Sequence, residues 1–129
     1  MVKVLITGAA GYLGSTLTEV LLDKGYSVDA LDNLMYEQTS LLHLCSNKNF
    51  RFINVDVTNF DFLKTIIPTY DVIIPLAAIV GGPACDKNKE LATKVNFEQI
   101  KCIVDNITSE QKLIMPNTNS QYGSSSEVI

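Results

Sequence analysis

A doubly wound α/β domain with a parallel sheet is what this sequence predicts, and three observations predict it. Short β-branched or apolar runs alternate with stretches of helical spacing, the pattern of strand-helix-strand units. A glycine-rich turn, "ITGAAGYLG", closes the first run and opens the first helical stretch. With 129 residues, of which 47% are hydrophobic and 19% charged, the chain has the size and composition of one soluble globular domain with a single core.

Taken in order, "VKVLITG" (2–8) reads as a buried strand and "LGSTLTEVLLDKG" (13–25) as a helix, with Leu13, Leu17, Val20 and Leu21 on one face and Gly25 as its stop. "SVDALD" (27–32) is a second strand, and 38–45 at most a short helix. "FRFINVDV" (50–57) is a third strand, followed by a helix over 59–67 that Pro68 ends. The fourth strand covers 71–79, with an interruption expected at Pro75 because that residue has no N–H for a ladder. The longest helix lies within 89–110, with Leu91, Ala92, Val95, Ile100, Ile103, Val104 and Ile107 on its apolar stripe. A fifth strand over 112–118 completes the expected sheet, and the chain stops soon after.

Several function classes are disfavoured by the totals. A net charge of −4 with ten scattered basic residues speaks against a nucleic-acid surface or an anionic membrane. The apolar runs fall short of the ~20 residues that a membrane span needs. Met1 leads straight into the first strand without a basic leader, so a cytoplasmic protein is expected. Cys45, Cys85 and Cys102 form no Cys-x-x-Cys pair, which disfavours a disulfide scaffold and a metal site. His43 is the only histidine, in a loop-like stretch, so a His-based triad has little to build on.

The chemistry-bearing signal is the turn. Gly8, Gly11 and Gly14 follow a strand and open a helix, where a tight turn, close approach of a pyrophosphate and helix-strand packing each ask for a residue without Cβ. Helix N-terminal amides would then face the phosphates. Asp32 ends the second strand, where a carboxylate can accept hydrogen bonds from the adenosine ribose. It would also repel a 2′-phosphate, and the following "NLMYEQ" offers no Lys or Arg to receive one, so NAD is favoured over NADP.

With "TGAAGYLG", "LDNL", "NVDVTN", "PLAAIVG", "VNFEQ" and "PNTNSQYG" in this order along the chain, the sequence resembles the extended short-chain dehydrogenase/reductase family, within it the NAD-dependent nucleotide-sugar epimerases and dehydratases. The resemblance implies a Rossmann-type sheet, truncated after about five strands, as one NAD-binding domain over 1–129 whose substrate domain is absent. It places Gly8, Gly11, Tyr12 and Leu13 at the pyrophosphate, Asp32 and Asn33 at the adenosine ribose, and Asp56 and Val57 at the adenine. From the residues alone, Asp56 serves equally as a cap for the helix starting near Asn59. Leu76, Ala77 and Ala78 would run beside the middle of the cofactor, or else are sheet core. Asn96 would lie near the cofactor, or else on the surface.

The chemistry so implied is reversible hydride transfer at a sugar hydroxyl carbon, with a Tyr base tuned by a Lys and a Ser or Thr holding the same hydroxyl. That last role falls on Thr118, in a stretch that also reads as turn formers. A nucleotide-sugar is the implied substrate, and a homodimer the implied assembly of the full-length protein.

The pattern also breaks. None of the five tyrosines has Lys four positions later, so the catalytic base is absent from this chain, and the piece alone is expected to be inactive. Pro75 and Leu76 stand where the family has a histidine or aromatic, and Val80 where galactose-type epimerases have a lysine, which disfavours that substrate. The stretch 81–88 reads as a sugar-contacting loop, and Cys85 within it has no base in view to make it a nucleophile. An uncovered sheet edge after the fifth strand predicts self-association. Two alternatives stay open: a non-catalytic NAD(H) sensor and an NADP-linked carbonyl reductase of the same superfamily.

Overall fold

The structure, a computed structural model, describes residues 1–117. Thr118, the expected catalytic hydroxyl, lies outside the described residues, as do Ser120 and Tyr122.

Five strands, β1 (Lys3–Thr7), β2 (Ser27–Asp32), β3 (Phe50–Asn54), β4 (Val72–Pro75) and β5 (Lys112–Leu113), form one parallel sheet in the order β3-β2-β1-β4-β5. The central strand is β1, with Leu5 opposite Asp29 on one side and Ile73 on the other. The chain builds outward from β1 to β3, then returns to place β4 on the other side. The sheet therefore reverses its order between β1 and β4, the position at which doubly wound sheets open a crevice.

Alternation along the strands divides the core in two. Val4, Ile6, Val28, Ala30 and Ile74 face α1 (Tyr12–Asp23) and the turn around Leu41 and Leu44. Leu5, Leu31 and Ile73 face the other way, against Leu63 of α2 (Phe60–Ile66) and the long helical segment that carries Val95 and Ile103. That segment follows a short helix, α3 (Gly82–Lys87), and consists of α4 (Lys89–Thr93), a π-helical turn (Lys94–Glu98) and α5 (Gln99–Asn106).

The structure departs from the sequence reading in instructive places. The buried face of α1 is Gly14, Thr18 and Leu22, while Leu13 and Val20 are exposed. Leu17 and Leu21 do pack on the core as the spacing expects, but where the helix lies closest to the glycine turn small residues, not large ones, fill the contact. In the long segment Gln99 and Cys102 face inward and Val104 is exposed. The fourth strand stops at Pro75, and the next ladder bond is the last, from Leu76 N–H to the Thr7 carbonyl at 2.9 Å. Stretch 81–88, read as a loop, holds α3, which Pro83 helps to start. The third strand ends at Asn54, and only Lys112 and Leu113 of the fifth are paired. The expected helix at 38–45 is a single 3-10 turn, Leu42–Leu44. No helix of the described residues is long and apolar enough to cross a membrane.

Candidate functional site

The crevice at the β1/β4 divergence is an open groove with a volume of about 160 Å³. Its floor is the glycine turn. Gly8 has φ +67°, and a Cβ there would lie 2.5 Å from the Ala77 nitrogen and 2.6 Å from its Cα, so both conformation and space demand glycine. At Gly14 a Cβ would lie 2.5 Å from the Gly8 carbonyl oxygen and 2.7 Å from the Ala9 Cα, which fixes α1 against the turn. Gly11 meets only a 3.2 Å contact but serves as the N-cap of α1 and offers no side chain to cap it. The first turn of α1 thus keeps unpaired N–H groups at Tyr12 and Leu13 and carries no acidic residue, which suits it to an anion.

Beside the turn the groove is acidic. Asp32 is 7% exposed, and its carboxylate accepts the Ala10 N–H at 3.0 Å and the Leu34 N–H at 2.8 Å. Both donors are backbone groups, so lone pairs remain on each oxygen, and among the described residues no cation pairs with the carboxylate. Asn33 donates its amide to Asp56 at 2.8 Å and accepts the Met35 N–H at 3.0 Å. Asp56 also accepts the Thr58 N–H at 2.8 Å and its hydroxyl at 2.7 Å. Burial pushes the Asp56 carboxyl up, but the bonds from Thr58 and Asn33 outweigh it and hold the group below its ordinary value. The capping alternative fails for α2: Asn59 caps that helix, accepting the Phe62 N–H at 3.1 Å.

Gly8, Gly11, Asp32, Asn33, Asp56, Val57, Leu76, Ala77 and Ala78, nine of the residues singled out in the sequence, line this one groove. Tyr12 and Leu13 do not line it, and their side chains are exposed. Asn96 does not line it either. Its side chain is exposed and grips one peptide, accepting the Ile79 N–H at 2.8 Å and donating to the Ile79 carbonyl at 2.9 Å. It thereby holds a wall residue in place from the surface. Cys85 spends its thiol proton on the same Ile79 carbonyl, at 3.3 Å.

Met35, Tyr36, Gln38, Ile79 and Val95 also line the groove and were missed. The first three belong to the turn after β2, where Leu34 and Glu37 both adopt φ 54°, and Ser40 ties the turn to the Ala10 carbonyl at 2.7 Å. The only sequence signal for them was adjacency to Asp32. Behind the wall lies fully buried Gln99, also missed, whose signal was a polar residue at an inward helical position with Ala92, Val95 and Ile103.

A parallel sheet that reverses its order beside a glycine turn, with carboxylates at the neighbouring strand ends, defines the Rossmann-like class. Residues 4–129 match the family model for the NAD dependent epimerase/dehydratase family, and the chain belongs to that family. It is 34% identical to a UDP-glucuronate 4-epimerase of Thermodesulfobacterium geofontis over 95% of this chain and 41% of the relative. A UDP-N-acetyl-alpha-D-glucosaminuronate decarboxylase of Bacillus cytotoxicus is 31% identical, over 94% of this chain and 38% of the relative. Among solved structures, the UDP-glucuronic acid 4-epimerase of Bacillus cereus, in complex with UDP-glucuronic acid and NAD, superposes with a TM-score of 0.83 at 28% identity, covering 98% of this chain and 43% of that one. The chain therefore spans about two-fifths of the length of these curated relatives.

Proposed function

We propose that this chain is the NAD-binding part of an epimerase or dehydratase that acts on a nucleotide-sugar by reversible hydride transfer. The observation that carries the reading is the groove itself, in which a glycine turn that admits no side chain at Gly8 and the carboxylate of Asp32, held on the Ala10 N–H of that same turn, line one wall. The residues fit a dinucleotide: turn and α1 amides for the pyrophosphate, Asp32 and Asn33 for the adenosine ribose, Asp56 and Val57 for the adenine, and the small Ala77 and Ala78 along the middle. NAD, when bound, supplies a reversible hydride acceptor. Among the described residues no Lys or Arg lines the groove, and both charged side chains there are carboxylates, which supports NAD over NADP.

Thr118 is assigned the sugar-hydroxyl contact and Tyr12 and Leu13 the pyrophosphate, by family pattern. The proton acceptor has no counterpart among the five tyrosines, so residues 1–129 alone are expected to bind cofactor without turnover, and a homodimer is the assembly proposed for the whole protein. A second reading is a non-catalytic NAD(H) sensor. Calorimetric titration with NAD and NADP, and a nucleotide-sugar assay of the protein as expressed from its whole gene, test both. NAD binding with turnover supports the enzyme, NAD binding without turnover the sensor, and tighter binding of NADP overturns the cofactor assignment.

A further inference from the structure

Gln99 has no exposed surface, although it is a long polar side chain on a helix. Its Oε1 accepts the Thr7 hydroxyl at 2.7 Å, and its Nε2 donates to the Ala77 carbonyl at 3.1 Å and the Val95 carbonyl at 2.8 Å. The Thr7 hydroxyl oxygen in turn accepts the Ala77 N–H at 3.4 Å. Thr7, Ala77 and Gln99 thus close a ring of hydrogen bonds, in which both polar groups of the Ala77 peptide unit are taken by side chains.

The need for the ring follows from the topology. After the bond from Leu76 to Thr7, β1 turns away at Gly8 and the chain leaving β4 turns the other way, so Ala77 has no strand partner. A buried backbone N–H and C=O must still be paired. The π-helical turn contributes here: the Gln99 N–H reaches back to the Lys94 carbonyl, one residue beyond the α-helical partner, while the Val95 carbonyl takes the Gln99 side chain. Ala77 is also the residue that a Cβ on Gly8 would strike, so its position decides how close wall and floor approach.

We propose that Gln99 is a positioning residue for the cofactor groove, holding the Ala77 peptide against the glycine turn so that the wall accepts the middle of a dinucleotide. The inference rests on the NAD reading above. The test is calorimetry on the full-length protein with NAD and, separately, with AMP, which carries the adenosine and one phosphate but lacks the part of the dinucleotide that would run beside Ala77. Gln99→Met fills the slot without hydrogen bonds, and Thr7→Val removes the other half of the ring without a cavity. Leaving the Ala77 carbonyl or N–H unpaired is expected to weaken NAD binding about tenfold in either variant, with AMP binding kept within about twofold. Equal losses for NAD and AMP, or no loss for NAD, overturn the inference. So does failure of both variants to fold, since the ring would then be a requirement of folding. If the unaltered protein binds no NAD, the parent reading falls instead.

Discussion

Two aspartates on β2, three positions apart, have opposite fates. Asp29 points to the α2 face and is 3% exposed. Its carboxylate receives the Arg51 guanidinium, the Tyr70 hydroxyl at 2.7 Å and, at 3.5 Å, the Lys3 ammonium, which itself lies 4.7 Å over the Tyr70 ring. Asp32 points to the α1 face at the end of the strand, is almost as buried, and has only two backbone N–H donors. Asp29 is neutralised by side chains and is spent on the fold. Asp32 is oriented without being neutralised, which leaves it able to bind a neutral diol at the sheet's opening. Burial therefore does not distinguish these two carboxylates, whereas the nature of their donors does.

The largest effect should come where the groove is tightest. Gly8→Ala forces a Cβ into the Ala77 backbone at a positive φ, and urea unfolding is expected to show a loss of about 3 kcal/mol with NAD binding abolished. A variant as stable as the parent would show that the turn tolerates a side chain.

Asp29→Ala follows. Removing one member of a buried ionic cluster is expected to cost about 2 kcal/mol, less than the roughly 3–5 kcal/mol usual for a fully buried pair, because Arg51 and Lys3 are 57% and 35% exposed and can turn to water. NAD affinity should be unchanged, and a parallel loss of affinity would erase the distinction between the two aspartates.

Tyr70→Phe sharpens the same contrast at about 1 kcal/mol. Burial and then Asp29 hold the Tyr70 phenol above its ordinary value of 10.0. The raised value favours the neutral form in the folded state, so its stabilisation is complete below pH 10.0 and is lost as pH rises beyond it. Unfolding midpoints followed into alkaline solution should fall less steeply for the Phe variant.

The smallest effect belongs to Asp56. Its folded carboxyl is held below 3.8, so its contribution is present above that pH and is lost as pH falls through the lowered value. Asp56→Asn should flatten the acid limb of the stability profile slightly, and an unchanged limb would show that the Thr58 and Asn33 bonds carry no net stabilisation.

What could be read from the sequence was local. The glycine turn, the strand-helix rhythm and Asp32 reveal themselves within a few residues of their neighbours, and the nine residues of the groove gathered as expected because strand ends of one parallel sheet share an edge. Asp29 and Gln99 were silent because their partners lie far along the chain, 22 and 41 positions away for Arg51 and Tyr70, and 92 for Thr7. Hydrophobic spacing found most of the inward stripe of the long helix and Leu17 and Leu21 of α1, but missed Gly14, Thr18 and Gln99, which occupy inward positions that the pattern reserves for larger apolar residues. In each case close approach or a distant hydrogen bond overrode the local preference.

The central claim is that Asp32, not Asp29, belongs to the cofactor. The most direct measurement is NAD affinity by calorimetry beside the urea unfolding midpoint, for Asp29→Ala and Asp32→Ala in the full-length protein. The account predicts a crossed pattern: Asp32→Ala loses at least about tenfold in NAD affinity, equivalent to about 1.4 kcal/mol, with a smaller stability loss than Asp29→Ala, which binds NAD as the parent does. Unchanged NAD affinity in Asp32→Ala would contradict it.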